Sequence, residues 1–223
     1  MASFFSELAN NNIRGSYNRS GSCPHWQFPR GYLERLESSE QTTLSYVASA
    51  SRLIDYQGDE LFMDVDAGKL YDFTITTPPI PKGVYEVRIG YMATGGRGVC
   101  QFYFNGIPTG VPVNLLDDKG VRAGYVKQGD DPSDPDGFEN DKVMRNLGYM
   151  KAPASFWDPA QVWTKANPSA RRAGNCLRKI LGIFEFEEAA NHKLTVKGLS
   201  NGQFMMDFME FVPTSALETE DIY

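Results

Sequence analysis

Side chains suited to binding a sugar are concentrated in one segment of this 223-residue chain, residues 115–175. The C–H faces of a sugar ring stack on Tyr and Trp rings, and its hydroxyls need planar donors and acceptors such as Arg and Asn. The candidate ligand-binding side chains in this segment are Tyr125, Arg145, Asn146, Tyr149, Trp157 and Trp163. The alternative is that the tryptophans seal the segment onto a hydrophobic core, because Trp is largely buried on average.

A seventh candidate, Arg97, lies in the glycine-rich sequence Gly95-Gly96-Arg97-Gly98. Loops of this kind at the end of a strand are a frequent place for binding residues. A guanidinium there would supply a polar contact to the ligand, with an internal salt bridge as the alternative. Arg178 and Lys179, which precede another predicted strand, are expected to border the same end, where exposed charges are usually solvated.

The dense acidic run that contains Asp134 and Asp136 raises the question of a calcium site. Calcium requires six to eight oxygen ligands. The twelve-residue spacing of an EF-hand loop is not met, since no Glu falls at the bidentate position and Pro135 fits poorly. We therefore expect a solvated turn and no cofactor, with calcium as the less favoured alternative.

Sequence motifs of known catalytic sites are missing from the chain. There is no G-x-S-x-G nucleophile turn, no H-E-x-x-H zinc motif and no glycine-rich phosphate loop followed by a helix. Two histidines, His25 and His192, are the imidazole bases of the sequence. We therefore expect a non-catalytic protein. A carboxylate pair acting on a glycosidic bond stays open as an alternative, with Glu86, Glu185 and Glu187 as candidates.

Charge and cysteine content further limit the classes of partner and of site that we expect for this protein. The 22 basic and 28 acidic residues give a net charge of -6, so a nucleic-acid partner is not expected. No run approaches the roughly 18 to 20 consecutive apolar residues of a transmembrane helix. Three widely spaced cysteines argue against a disulfide framework or a zinc cage. Cys100 is a predicted core residue, and pairing of Cys23 with Cys176 is left open.

The fold is predicted from alternation of apolar and polar residues with a period of two. In residues 83–91 every second side chain from Tyr85 onward is apolar or aromatic, which is typical of a half-buried strand. Further strands are predicted at residues 44–48, 61–65, 71–77, 99–105, 180–187, 193–199 and 203–212.

At least eight short strands, with prolines only at their ends or outside them, predict an all-β protein built as an antiparallel two-sheet sandwich. One or two short helices are expected, at residues 3–9 and 29–38. The sandwich is expected over residues 41–216, with an N-terminal extension at 1–40 packing on it and a tail at 217–223. A long irregular insertion at 115–176 is predicted to be ordered, because disordered segments are poor in aromatic residues.

Several of these strands, taken in order, resemble galactose-binding-like jelly rolls, the fold of many carbohydrate-binding modules. The resemblance spans residues 42–213. It implies that the sandwich has jelly-roll connections, and the sequence departs from the pattern at Asn191, where a Gly is usual before the His. The stretches that carry the resemblance are residues 83–91, 101–106, 184–196 and 204–213.

A closer resemblance is to the C-terminal domain that follows fasciclin domains in Bacteroidetes cell-surface lipoproteins. It implies that the chain is a fragment of a secreted, lipid-anchored protein at the cell surface or on the periplasm-facing outer membrane. Glycan uptake or adhesion would then be its setting. The stretches that carry this resemblance are residues 97–103, 139–151, 176–181 and 220–223.

The sequence therefore predicts a non-catalytic cell-surface module that recognises a polysaccharide or glycoconjugate through loop aromatics and Arg97. The alternative is a structural or adhesion module that packs against a protein partner or a neighbouring fasciclin-type domain. Exposed coplanar aromatics in a groove would indicate the first function, and a flatter apolar patch would indicate the second. Burial of both Trp157 and Trp163 would exclude this site.

Overall fold

The computed structural model describes residues 13–14, 36–39, 42–48, 59–65, 68–93, 97–115, 119–127, 129–152 and 176–220. Within these ranges, no helix has both the length and the apolar character needed to cross a membrane. The strands in chain order are β1 (Ile13–Arg14), β2 (Leu36–Ser38), β3 (Thr42–Ala48), β4 (Asp59–Val65), β5 (Asp72–Thr76), β6 (Gly83–Met92), β7 (Val99–Phe104), β8 (Ile107–Pro108), β9 (Val113–Asn114), β10 (Tyr149–Lys151), β11 (Cys176–Phe186), β12 (Lys193–Gly198) and β13 (Phe204–Pro213). The helices are α1 (Lys119–Ala123), α2 (Phe138–Asn146) and α3 (Leu217–Glu220), and a 3-10 turn covers Thr214–Ala216.

The strands form two sheets. The first has the order β1-β3-β4-β13-β6-β11-β10, and the second has the order β2-β5-β12-β7-β8, with β9 also paired to β7. The short β1–β3 pair is parallel, and the other described pairs are antiparallel. The predicted all-β, two-sheet sandwich is therefore confirmed, whereas the jelly-roll connection stays a prediction.

The core lies between the sheets, and the alternation predicted for β6 places its side chains there. Val87, Ile89 and Tyr91 are each at most 1% exposed. The opposite face of β6 departs from the prediction of a half-buried strand, because Glu86 and Arg88 are buried as well. Their burial is compensated by ion pairs with one another, which sequence alternation cannot reveal. The buried aromatic residues of the core are Tyr71, Phe73, Tyr91, Phe102, Phe104, Tyr149, Phe186 and Phe204.

The predicted helix at residues 29–38 is wrong at its C-terminal end. Residues Leu36–Ser38 form strand β2 and pair with β5, with Leu36 opposite Ile75. One pair of leucines three residues apart is too little helical period to outweigh strand pairing across the core. The expected extension at 1–40 thus contributes a strand to the second sheet. The other predicted helix, at residues 3–9, lies outside the described residues.

The described part of the predicted insertion, within residues 115–152, is ordered and has its own secondary structure. It contains α1, α2 and β10, and β10 extends the first sheet by pairing with β11. Ala123 from α1 and Met144 from α2 are fully buried in the main core. The insertion is therefore attached to the sandwich by a strand and by apolar side chains from both helices.

Candidate functional site

The candidate site is built on the edge of the first sheet, where the insertion adds β10. Tyr149 in β10 is directly opposite Lys179 in β11, and opposite residues of an antiparallel pair have their side chains on the same face. The Lys179 ammonium nitrogen lies 4.4 Å from the centre of the Tyr149 ring. It also donates a hydrogen bond to the Gly148 carbonyl at 2.9 Å. Strand register thus brings together two residues thirty positions apart.

Gly148 makes this arrangement possible. It has φ of 78°, a left-handed conformation that favours glycine, and it ends the turn after α2 by donating to the Arg145 carbonyl. A Cβ on Gly148 would lie 2.6 Å from the Lys179 ammonium. The Gly148 carbonyl also accepts from the Ile180 amide at 3.0 Å. The helix end therefore presents a carbonyl to a cation, which suits the negative end of the helix dipole.

Helix α1 supplies two further cations. The guanidinium carbon of Arg122 lies 5.9 Å from the Tyr149 ring centre, and the Arg122 side chain also donates to the Tyr91 hydroxyl at 3.4 Å. Lys119 lies three residues earlier, on the same face of the helix. Its ammonium lies 4.5 Å from the centre of the Tyr125 ring. We call the set Lys119, Arg122, Tyr125, Tyr149 and Lys179 the basic-aromatic cluster.

The loop that carries Tyr125 is held against α2 by one asparagine. The Asn140 side chain donates to the Gly124 carbonyl at 2.7 Å and accepts from the Val126 amide at 3.1 Å. Two opposed hydrogen bonds on either side of Tyr125 restrict the backbone of that residue. The cluster is therefore supported by both α1 and α2.

The cations, rather than the buried ring, form the accessible rim of the cluster. Tyr149 is 5% exposed, whereas Lys119, Arg122, Tyr125 and Lys179 are partly exposed. Burial lowers the pKa of Lys179 to about 8. Tyr149 therefore serves as a support that positions Arg122 and Lys179, and its predicted role as a stacking surface for a ligand does not fit its burial.

Two further predicted site residues, Arg145 and Asn146, are described and lie apart from this rim. Arg145 is directed to the opposite face of the sheet, where its guanidinium lies 2.8 Å from Glu86, and Asn146 is exposed at the end of α2. Trp157 and Trp163 lie outside the described residues. Lys119 and Arg122 were missed in the sequence. The signal that could have indicated them is their spacing of three residues just before Tyr125.

Arg97 is 3% exposed and faces the protein. Its guanidinium donates to the Met92 carbonyl at 3.4 Å and to the Gln203 side chain at 3.1 Å, and it contacts the Met205 sulfur. The guanidinium thus connects β6 to the start of β13. This geometry favours a structural role, so we do not include Arg97 in the candidate site.

The acidic run has a structural function at the start of α2. The Asp134 carboxylate accepts from the backbone amides of Asn140 and Glu139 at 2.8 and 3.2 Å, and the Asp131 carboxylate accepts from the Ser133 hydroxyl at 2.6 Å and from the Ser133 amide at 2.8 Å. These hydrogen bonds lower the pKa of both aspartates. Among the described residues, no group of three or more His, Cys, Asp or Glu side chains could hold a metal ion.

The carboxylates considered for glycoside hydrolysis have other surroundings. Both Glu86 oxygens are in ion pairs, with Arg88 at 2.6 Å and with Arg145 at 2.8 Å. Glu185 and Glu187 are exposed on or just beyond β11. The contacts of Glu86 therefore indicate a structural role, in which it connects β6 to α2.

His192 also makes structural contacts, at the end of the sandwich near Asn105. Its ring stacks on Phe186 with a centroid distance of 3.8 Å. The Asn105 side-chain oxygen accepts from the Lys193 amide at 2.9 Å, so its amide nitrogen faces His192 Nδ1 at 2.9 Å. Nδ1 therefore accepts, and the ring proton lies on Nε2. Burial lowers the pKa of His192 below its ordinary value of 6.5.

The lowered pKa of His192 predicts a pH-dependent contribution to stability. Because the unfolded chain binds this proton more readily, the contribution is fully present above pH 6.5 and is lost as the pH falls through the folded-state pKa. The variant His192→Phe keeps a ring against Phe186 and removes the titration. In urea unfolding from pH 7.5 to 5.5, the wild type should lose stability relative to His192→Phe. A difference independent of pH would contradict this prediction.

No protein-family profile matches the chain, and no curated protein matches it. Similar solved structures include Paenibacillus xanthan lyase, with 14% identity, a TM-score of 0.46 and coverage of 82% of this chain and 13% of that chain. The catalytic unit of GH87 α-1,3-glucanase from Streptomyces thermodiastaticus has 14% identity, a TM-score of 0.35 and coverage of 82% and 26%. A GH87 α-1,3-glucanase catalytic domain in complex with nigerose has 10% identity, a TM-score of 0.37 and coverage of 80% and 26%. Each of these three structures is of a carbohydrate-active enzyme. This chain spans about an eighth to a quarter of the length of each of those chains.

Proposed function

We propose that the chain is a non-catalytic module that binds a polysaccharide or glycoconjugate at the basic-aromatic cluster. The observation that carries the proposal is the arrangement of three cations around two tyrosine rings, where the described part of the insertion joins the edge of the first sheet. Sugar recognition needs ring surface together with directional donors, and the cluster has both. Tyr125 is its partly exposed ring.

Each member of the cluster would have a separate role. The Arg122 guanidinium offers a planar set of N–H donors to ring hydroxyls. Lys119 and Lys179 offer ammonium donors, each beside a tyrosine ring. The buried Tyr149 would fix the spacing between Arg122 and Lys179, so that the donors are ordered before the ligand arrives.

We further propose that this module acts at the cell surface, in line with the resemblance to domains associated with fasciclin repeats. The second candidate function is docking of a protein partner on the insertion. The observation that favours it is the exposure of Val143 in α2 and of Leu147 directly after it, which are 50% and 49% exposed. Val121 in α1 is 83% exposed. Val143 and Leu147 lie near Gly124, the neighbour of Tyr125, and Val121 precedes Arg122, so the two functions require separate variants.

A glycan array with two matched double variants tests the proposed function. Lys119→Ala with Tyr125→Ala removes one cation–ring pair of the cluster. Lys197→Ala with Tyr103→Ala removes a comparable pair on the second sheet, where the ammonium lies 5.9 Å from the ring centre. We expect the cluster variant to bind its glycan at least about tenfold more weakly, since a hydrogen bond to a charged group contributes about 1.5 kcal/mol or more.

The control variant should bind as the wild type does, and circular dichroism should show that both variants are folded. Equal binding by all three proteins would place the glycan site elsewhere. If no glycan binds, replacing Val143 and Leu147 by Ser becomes the informative variant. If the wild type binds a partner protein and this variant does not, the docking function would be supported instead.

A further inference from the structure

The geometry points to an acidic glycan, one carrying carboxylate or sulfate groups, as the ligand of the basic-aromatic cluster. This inference rests on the proposed function and names its ligand class. The first observation is that cations are gathered here although the chain as a whole has a net charge of -6. Arg122 and Lys179 both lie against the single ring of Tyr149, at 5.9 and 4.4 Å from its centre, so two cations border one ring.

The second observation is the set of contacts around Lys179. Its ammonium contacts the Gly148 carbonyl and the Tyr149 ring, and among the described residues no carboxylate forms an ion pair with it. Across the sheet in β6 its neighbour is the apolar Ile89. Among the described residues, the titratable and charged groups placed near it are Tyr149 on β10 and Arg122 on α1, which lies against the same ring. A half-buried ammonium with neutral hydrogen-bond partners has lost part of its hydration without gaining a counter-charge.

An anionic ligand would supply that counter-charge. Burial has already lowered the pKa of Lys179 to about 8, so an anion bound next to the ammonium would raise the pKa again by favouring the charged form. Arg122 adds the planar donor pair that suits carboxylate and sulfate oxygens. A neutral sugar would satisfy the donors but would leave the charge of Lys179 uncompensated.

The test compares oligosaccharides that share a backbone and differ only in charge. We would measure oligogalacturonate against its methyl ester, and a sulfated oligosaccharide against its desulfated form, by calorimetry at pH 7.0 and 9.5. At least one acidic form should bind about tenfold or more tightly than its neutral counterpart at pH 7.0. Its binding should weaken at pH 9.5, where Lys179 is mostly uncharged, by up to about tenfold.

Two variants test whether Lys179 is the source of the preference for the acidic form and of its pH dependence. Lys179→Met should reduce the preference for the acidic form, to which Arg122 still contributes, and should remove its dependence on pH, whereas Lys142→Met should change neither. Lys142 is a lysine of the same insertion, with its side chain 69% exposed on α2. If Lys179→Met does not fold, proton uptake by the wild type replaces it. At pH 8 binding should take up about half a proton, seen as a dependence of the heat on buffer ionisation.

The outcomes separate this inference from the proposed function. Equal affinity for acidic and neutral forms would leave a glycan-binding module and overturn the acidic ligand class. A preference for the acidic form that is undiminished in Lys179→Met, with no proton uptake at pH 8 in the wild type, would likewise overturn the role of Lys179. Absence of binding to every glycan, charged or neutral, would overturn both proposals.

Discussion

Replacing Arg88 by Met should lower the free energy of unfolding by about 3 kcal/mol, the lower end of the range for breaking a buried ion pair. Arg88 lies in the central strand β6 and its side chain is fully buried. Its guanidinium lies 2.6 Å from Glu86 and 3.4 Å from Glu210 on the neighbouring strand β13. Removal of the cation would leave two carboxylates less compensated in a region from which water is largely excluded.

The expected loss of unfolding free energy is at the lower end of this range because neighbouring arginines still pair with both carboxylates. Arg145 still contacts Glu86 at 2.8 Å, and Arg178 still contacts Glu210 at 3.3 Å. These contacts extend the ionic network from β13 through β6 to β11 and α2. The network therefore connects the insertion, which carries the candidate site, to the centre of the first sheet.

Equilibrium unfolding in urea measures the effect. The matched control is Glu139→Gln, which removes the Lys142–Glu139 pair, whose side chains are 69% and 72% exposed. An exposed pair should contribute less than about 1 kcal/mol. A loss in Arg88→Met no larger than the loss in the control would mean that the buried network does not hold the sheet together.

Replacing Phe204 by Ala should cost about 3 to 5 kcal/mol, the range for deleting a large aromatic side chain from a core. Phe204 is fully buried at the start of β13. Its ring centre lies 5.8 Å from that of Phe73, 5.8 Å from that of Phe102 and 6.1 Å from that of Tyr71. The ring thus extends from the first sheet to three rings associated with the second, and its loss would open a cavity between the sheets.

The control for Phe204→Ala is Ile183→Ala on β11. Ile183 is 61% exposed, so its removal deletes apolar atoms that were already in contact with water and should change stability by about 0.5 kcal/mol or less. Both variants are compared with wild type by urea unfolding. A cost for Phe204→Ala below about 1 kcal/mol would contradict the central position of this ring.

The polar half of β6 shows the limit of predicting a strand from its pattern. Alternation identifies which side chains share a face, and it correctly placed Val87 and Ile89 in the core. It cannot tell whether the other face is also covered, because that depends on elements distant in sequence. The pattern predicts a half-buried strand, yet Glu86 and Arg88 on its other face are buried and paired.

The candidate site also combines features that the sequence predicted with features that only the tertiary structure revealed. Residue type and composition predicted that the insertion would be ordered and would contribute Tyr125 and Tyr149 to a site. The predicted contributions of Trp157 and Trp163 fall outside the described residues and stay predictions. The grouping of Lys119, Arg122 and Lys179 around the tyrosines depends on the end of α2 and on the pairing of β10 with β11, and neither was predicted.

The sequence by itself determined the all-β class, the position of most strands and the segment that carries the candidate site. These features depend on local alternation, on turn residues and on composition, each of which can be seen within a few neighbouring positions. Only the tertiary structure decided which charges are buried and which cations stand together. Burial and charge pairing depend on contacts between strands far apart in the chain, such as Arg88 with Glu210 and Lys179 with Tyr149.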